Sequence, residues 1–263
     1  MLRFKSLGSS SSGNATLVQA KSGVNTKPTQ LLVDCGLKLK DLETRLQEAG
    51  VPPDAIDGIF ITHEHGDHIG CARHFVKKYA TKIWMSRGTW QSISDESWQP
   101  FQHLLNLARD GQTFELGDLQ VHPFTVPHDA REPLQLRCTD GNHHLGIVTD
   151  LGHVSSHVVA SLQHCDALLL EANHDITMLQ QSAYPSFLKQ RVGGPWGHLS
   201  NEASAELLSK IKHAKLQRVI AAHLSERNNT PELARASLSQ ALICSPEEID
   251  VASPTSGTEW INV

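Results

Sequence analysis

The sequence has no CxxC pair, and its five cysteines (Cys35, Cys71, Cys138, Cys165 and Cys244) are an odd, scattered set. Neither a disulfide frame nor a thiolate zinc site is indicated, which leaves reduced thiols in the core as the expectation. The N-terminus, MLRFKSLGSSSSGN, lacks an apolar h-region, and the longest apolar runs, such as DALLLEA, are far too short to cross a bilayer, so a cytoplasmic protein with no membrane association is expected. With no GxGxxG and no P-loop lysine, a nucleotide cofactor is not expected. Excess positive charge is also missing: the net charge is −5 with histidines neutral, which rules against holding nucleic acid by a global positive field while leaving room for a local basic patch. No linker-like stretch and no internal repeat divides the 263 residues, so 1–263 is read as one domain, with the oligomeric state left open.

What is present is ordinary in bulk and unusual in detail. Hydrophobic residues make up 39% and charged residues 19%, as in a soluble globular protein, but there are 16 histidines, many of them in short motifs. β-Branched and alternating apolar residues predict strands at 2–7, 15–20, 30–34, 56–62, 82–86, 119–127, 134–139, 144–149, 165–171, 217–222 and 258–262. Leu39, Leu42, Leu46 and Ala49 have helical spacing and stop at Gly50; further helices are expected over 201–213 and from Pro231 as PELARASLSQAL. Asp140-Gly141-Asn142 supplies a hairpin turn. Strands interrupted by helices, around 1–80 and again around 119–215, suggest an α/β (α+β) fold built as a four-layer αββα sandwich.

The stretch IFITHEHGDHIG, residues 59–70, puts three histidines and two acids into six positions behind an apolar strand. His63 and His65 can converge on one ion, while Gly66 allows the chain to bend so that Asp67 and His68 turn toward a second. Three imidazoles and a carboxylate crowded at a strand end would repel one another once protonated, a conflict that a cation resolves. Two ions need more donors, and the sequence offers them at other strand ends: His128 after LQVHPFTVP, Asp150 after GIVT and His223 after RVIAA.

HxHxDH followed by isolated His, Asp and His resembles the metallo-β-lactamase superfamily, whose members have an αββα fold with one or two metals between the sheets. LGSSSSGNATLV, VPHDAREP, GIVTDLG, LLLEANHD, GHLSN and AHLSERNN are more narrowly similar to its WalJ/YycJ-type branch, related to ribonuclease Z and the phosphonate-pathway phosphodiesterase. The resemblance implies that His63, His65 and His128 hold one divalent ion, that Asp67, His68 and His223 hold the other, and that Asp150 bridges them. Zinc and manganese both suit such ligands, and iron is possible. Diiron oxidase relatives carry an acid where His65 stands, so redox chemistry is not implied.

Two cations joined by a carboxylate acidify water and clamp an anionic oxygen, an arrangement for hydrolysis. Asp67 could also orient the nucleophile. GHLSN resembles the element of ribonuclease Z whose histidine is the proton donor, which implies His198 in that role, with Glu171 of LLLEAN as the acid that orients it; a helix-capping His198 is the plainer alternative. For His174 no family role is clear. Ser10, Ser11, Ser12 and Asn14 could contact a phosphate or form only a solvated tight turn, and Arg191 and Arg227 could be phosphate contacts or solvated surface charges.

By resemblance the chain is expected to be a dinuclear metal-dependent phosphodiesterase acting on nucleic acid, DNA favoured, as a 5′ exonuclease. It has no room for the transfer-RNA-gripping arm of ribonuclease Z. Other readings stay open at this point: a small-molecule phosphodiesterase, an acyl hydrolase of thioesters, lactones or lactams, and a non-catalytic metal-dependent sensor.

Overall fold

A computed structural model describes residues 1–23 and 27–263. In chain order the strands are β1 (Leu2–Gly8), β2 (Ala15–Ala20), β3 (Thr29–Val33), β4 (Gly58–Phe60), β5 (Lys82–Ser86), β6 (Leu105–Ala108), β7 (Phe114–Leu116), β8 (Leu119–Thr125), β9 (Leu134–Thr139), β10 (His144–Val148), β11 (Ala167–Glu171), β12 (Arg218–Ala222), β13 (Asp250–Val251) and β14 (Ile261–Asn262). The α-helices are α1 (Leu39–Glu48), α2 (Gly66–Ile69), α3 (Ala72–Tyr79), α4 (Arg87–Ile93), α5 (Ser156–Leu162), α6 (Ile176–Gln181), α7 (Ser186–Val192), α8 (Asn201–Ile211) and α9 (Pro231–Leu242). They form two sheets, ordered β14-β1-β2-β3-β4-β5-β6 and β13-β12-β11-β10-β9-β8-β7.

Alternation along the strands explains the layering. In β2, β3 and β4, Val18, Leu31, Val33 and Phe60 point into the core between the sheets, where they meet Val121, Leu136, Ile147, Leu169 and Ile220 of the second sheet. Their neighbours Leu17, Leu32 and Ile59 point the other way and pack on Leu42 and Leu46 of α1 and Phe75 and Val76 of α3. On the far side Leu168, Leu170 and Val219 pack on Leu207, Leu208 and Ile211 of α8 and Leu238 of α9. Strands buried on both faces read as unbroken apolar runs, and each fully buried Leu, Ile or Phe contributes roughly 1.5–3 kcal/mol. The result is the expected αββα sandwich.

Some boundaries differ from expectation. The strand foreseen at 56–62 is only β4, because Thr62 N–H turns to the Asp34 carboxylate (2.8 Å) and leaves the ladder. The last strand is shorter than 258–262 and returns to the first sheet beside β1, so the division into halves at 1–80 and 119–215 misses both β14 and the strands β6 and β7. Within each sheet β3–β6 and β10–β13 run parallel. Their carboxyl ends are where such folds bind ligands.

Candidate metal centre

Six strand ends converge. His63, His65, Asp67 and His68 occupy the loop after β4 and the start of α2; Asp34 follows β3, His128 follows β8, Asp150 follows β10, Glu171 ends β11 and His223 follows β12. Ligand-type atoms of His63, His65 and His128 lie within 4.8 Å of one another, as do those of Asp67, His68 and His223, and those of His63, His68 and Asp150. Asp150 is central: its Oδ2 is 3.0 Å from His68 Nε2, and its Oδ1 is 3.7 Å from His128 Nε2 and 3.5 Å from His223 Nδ1. The structure thus brings together all seven side chains that the family pattern proposes as ligands.

The imidazoles are held from behind. His68 Nδ1 pairs with Asp34 Oδ2 (2.8 Å), His223 Nδ1 with Glu171 Oε1 (3.0 Å), His128 Nδ1 with the Gly197 carbonyl (3.0 Å) and His63 Nδ1 with Thr62 Oγ1 (3.0 Å). Such partners fix the ring and its tautomer, so the opposite nitrogen faces the centre. There, His63 Nε2 and His223 Nε2 are buried without a hydrogen-bond partner. Leaving buried polar atoms unmatched costs about 1–3 kcal/mol each, and a divalent cation would satisfy both; the donor set fits one.

Charge is crowded in the same place. Burial drives His63 well below the ordinary imidazole range, with the charge of His68 adding to the effect, and burial also lowers His128. Burial opposes charge on His68 and His223 too, but Asp150 and Asp34 hold His68 well above its usual value, and Asp150, Asp67 and Glu171 raise His223 to about 10. Asp150 and Asp67, which burial alone would push up, are held low by His223 and His68. The carboxylates and these two imidazoles thus favour one another's charged forms, a task that divalent cations would take over while freeing those nitrogens as ligands.

Beside the cluster, His198 donates from Nδ1 to Glu171 Oε1 at 2.9 Å. Glu171 is fully buried and also accepts from the backbone N–H groups of Asp150, Leu151 and Leu199. Burial would raise this acid, yet His198 and His223 outweigh it and hold it at about 2. A cavity of about 330 Å³ opens over the cluster, lined by Ser11, Asp67, Asp150, Arg191, His198 and His223 among others.

The remaining site candidates are placed unequally. Ser10 is buried in its turn, and Ser12 is exposed and reaches Glu226. Asn14 is buried and bonds through its amide to Ser10 O (2.9 Å) and toward Asp67 Oδ2 (3.4 Å), so it braces the loop more than it faces the cavity. Arg227 is exposed and does not line the cavity; the neighbouring Asn229 turns inward to Ala172 O instead, leaving Arg227 at the tip of the turn. Arg191 does line it, bonded to Asp129 Oδ2 at 2.7 Å. His174 is buried and forms a backbone bridge to Ser200. Sequence reasoning missed Asp34, Thr62, Gly36 and the Gly197 carbonyl. Asp34-Cys35-Gly36 directly behind the apolar run of β3 was the available signal, the same pattern as at Asp150.

Residues 29–224 match the family described as the beta-lactamase superfamily domain. The chain belongs to the metallo-β-lactamase superfamily. Within it, the chain is 32% identical over 241 residues to the protein named exodeoxyribonuclease WalJ of Streptococcus pneumoniae serotype 2 (strain D39 / NCTC 7466), covering 90% of this chain and 86% of that one. It is 33% identical over 249 residues to exodeoxyribonuclease YycJ of Bacillus anthracis, covering 92% and 89%. Among solved structures, the metallo-β-lactamase fold protein YhfI of Bacillus subtilis superposes with a TM-score of 0.73 over all of both chains at 15% identity, a likeness of fold. The WalJ/YycJ resemblance and the αββα architecture expected from sequence are therefore both borne out. Among the described residues no helix is long and apolar enough to cross a membrane.

Proposed function

We propose that this superfamily hydrolase is a phosphodiesterase that degrades nucleic acid, DNA in preference, as an exonuclease working from 5′ ends. His63, His65 and His128 would hold one divalent ion and Asp67, His68 and His223 a second, with Asp150 between them; zinc and manganese suit the donors, and iron is compatible. When bound, such cations acidify water and neutralise the charge of a phosphodiester. The relatives named as exodeoxyribonucleases support the substrate class. Ligands drawn from both sheets support reading 1–263 as one working domain.

The observation that carries the proposal is the His198–Glu171 pair at the cavity wall. An alkoxide leaving phosphorus needs a proton, and with Nδ1 committed to Glu171 the other nitrogen of His198 is available to deliver it. Glu171 keeps the ring oriented. Asp67, at the cavity edge, accepts a hydrogen bond from attacking water and aligns it. Glu171, Asp34 and the Gly197 carbonyl hold their rings still, so little reorganisation accompanies reaction.

Oligonucleotides labelled at the 5′ or 3′ end, incubated with Mn²⁺ or Zn²⁺, test this reading. Release of labelled mononucleotide from 5′ ends is expected, and His198→Ala should lower the rate roughly a hundredfold or more with metal content unchanged. Turnover of a thioester in place of any phosphodiester, or an unimpaired His198→Ala enzyme, would overturn it.

A further inference from the structure

Residues 181–196, which include α7 and lead directly to Gly197 and His198, contain no buried residue. A helix that buries none of its side chains fully, with only Leu188, Lys189 and Val192 half-buried, is unusual, because apolar packing supplies most of the stability of short helices. The segment nevertheless holds the two large aromatic side chains that are most open to solvent among the described residues, Phe187 at 72% and Trp196 at 59%.

Each is next in sequence to a residue that lines the cavity, Phe187 to Leu188 and Trp196 to Gly197. Leu188, Arg191 and Val192 of α7 line it, and Phe187, four residues before Arg191, is Arg191's neighbour on the helix surface at the outer edge of that face. Trp196 is two residues before His198, and its ring meets His153 edge-on with centroids 6.1 Å apart. His153 in turn bonds through Nδ1 to the Pro195 carbonyl at 2.8 Å, and Gly152 fits so closely that a Cβ there would come within 2.3 Å of the same oxygen. The loop carrying Trp196 is thus clamped to the loop after Asp150, while the Trp196 side chain stays mostly exposed. Between the two rings in sequence, α7 carries Lys189, which bonds to the Gln180 carbonyl, and Arg191, which is paired with Asp129 and 62% exposed on its side chain, in a chain that is acidic as a whole.

We propose that Phe187 and Trp196 are stacking platforms for the bases of an unpaired nucleic-acid strand, with Arg191 meeting the phosphates between them, so that the strand end is led into the metal cavity. Every base presents a π-face, so two aromatic plates beside cations grip a strand whatever its sequence, as a processive nuclease requires. The proposal rests on the phosphodiesterase reading for its purpose, but the surface can be tested by itself.

The probe is a short fluorescent single-stranded oligodeoxynucleotide, and a second one of the same length with abasic sites at its terminal positions. Binding to the full-length chelated protein is read by anisotropy for wild type, Phe187→Ala, Trp196→Ala and the double variant. Wild type should prefer the base-bearing strand about tenfold for each stacked base, each single variant should lose one such factor, and the double variant should bind both strands alike. With metal restored, the double variant should raise KM for the strand more than it lowers kcat, and its melting temperature should match wild type because neither ring is buried. Equal binding of the two strands by wild type, an undiminished preference in the double variant, or a wild-type dimer that the substitutions dissociate would each overturn the proposal. Base-dependent binding with no cleavage under any divalent ion would uphold the surface and sink the phosphodiesterase reading; cleavage with no base preference would do the reverse.

Discussion

The two sheets build their shares of the centre by different means. The first supplies four candidate ligands on one short loop, His63 to His68, and holds that loop by backbone packing: Asn14 N–H donates to Asp67 O (2.8 Å), Cys35 N–H to His68 O (2.7 Å) and Gly36 N–H to Asn14 O (2.8 Å). The second supplies one residue per element (His128, Asp150, Glu171, His198 and His223) and ties most of them to one buried carboxylate, that of Glu171. A compact motif needs close neighbours, whereas dispersed ligands need a common anchor. Strain is common to both: Asp34 after β3 has φ of +64°, and Asp150 and His223 of the second sheet have φ of +54°, a left-handed conformation that costs a residue with a side chain about 1 kcal/mol or more and persists only where surroundings enforce it.

The largest effect should come from removing the anchor. Glu171→Gln keeps the shape but turns one acceptor oxygen into a donor, so some of the five N–H groups now bonded to the carboxylate must face an N–H group in a buried site. A loss of roughly 3 kcal/mol in stability is expected, from buried donors left unmatched beside uncompensated imidazoles. The rate of the proposed cleavage should fall about a thousandfold or more, further than for His198→Ala, because His198 and His223 are displaced together. Thermal melts and metal content measured side by side would check this. A variant as stable as wild type would show that the dispersed residues do not depend on a common anchor.

The matching test on the first sheet is Gly36→Ala. A Cβ on Gly36 would lie 1.7 Å from the Asp67 carbonyl oxygen and 2.7 Å from Asn14 N, both backbone atoms that cannot step aside cheaply. Overpacking of this kind costs about 1–3 kcal/mol. The displaced part of the loop is the one carrying Asp67 and His68, so the ion assigned to them should be lost first, with metal content falling toward half and activity dropping about a hundredfold. Equilibrium dialysis reads the first and end-labelled oligonucleotides the second. Equal loss of both ions would mean that the loop moves as one body.

This contrast also accounts for what was legible in the sequence. The His63–His68 loop announces itself because its ligands are close along the chain, and the buried strands announce themselves by apolar runs. Asp150 and His223 could be found only by asking which acids and histidines end such runs. Asp34 answers the same question yet escaped, because the family pattern lists ligands and Asp34 acts one bond behind His68. The short strands β6, β7, β13 and β14 were missed or misplaced because two to four residues give too little periodicity to register. Gly36 and Gly197 sit in recognisable stretches, DCG and GHLSN, but nothing local says why glycine is needed there: each is required by a backbone distant in sequence or by a neighbouring turn, as the 2.1 Å approach of a Gly197 Cβ to Arg191 O shows. Phe187 and Trp196 look like core residues until the fold leaves them outside.

The smallest effect separates the histidines of the second sheet that serve the centre from those that do not. His122 on β8 stands opposite Arg137 on β9, and His144 on β10 is also close enough to feel that guanidinium. Burial first and Arg137 second lower both imidazoles below their usual value. A lowered folded-state value means that, just below the ordinary imidazole pKa, the unfolded chain binds protons more readily than the native one. The stability involved is therefore fully present above about pH 6.5 and is lost as pH falls through and below that value. Both rings are partly exposed, so solvent screening limits the change to roughly a few tenths of a kcal/mol. Replacing both by Gln should flatten that part of the pH dependence in urea unfolding, measured on either side of about pH 6.5, without altering the rate of the proposed cleavage. A larger change, or any change in metal content, would mean that this outer face of the sheet is coupled to the centre, and that the second sheet acts on it through more than the carboxylate of Glu171.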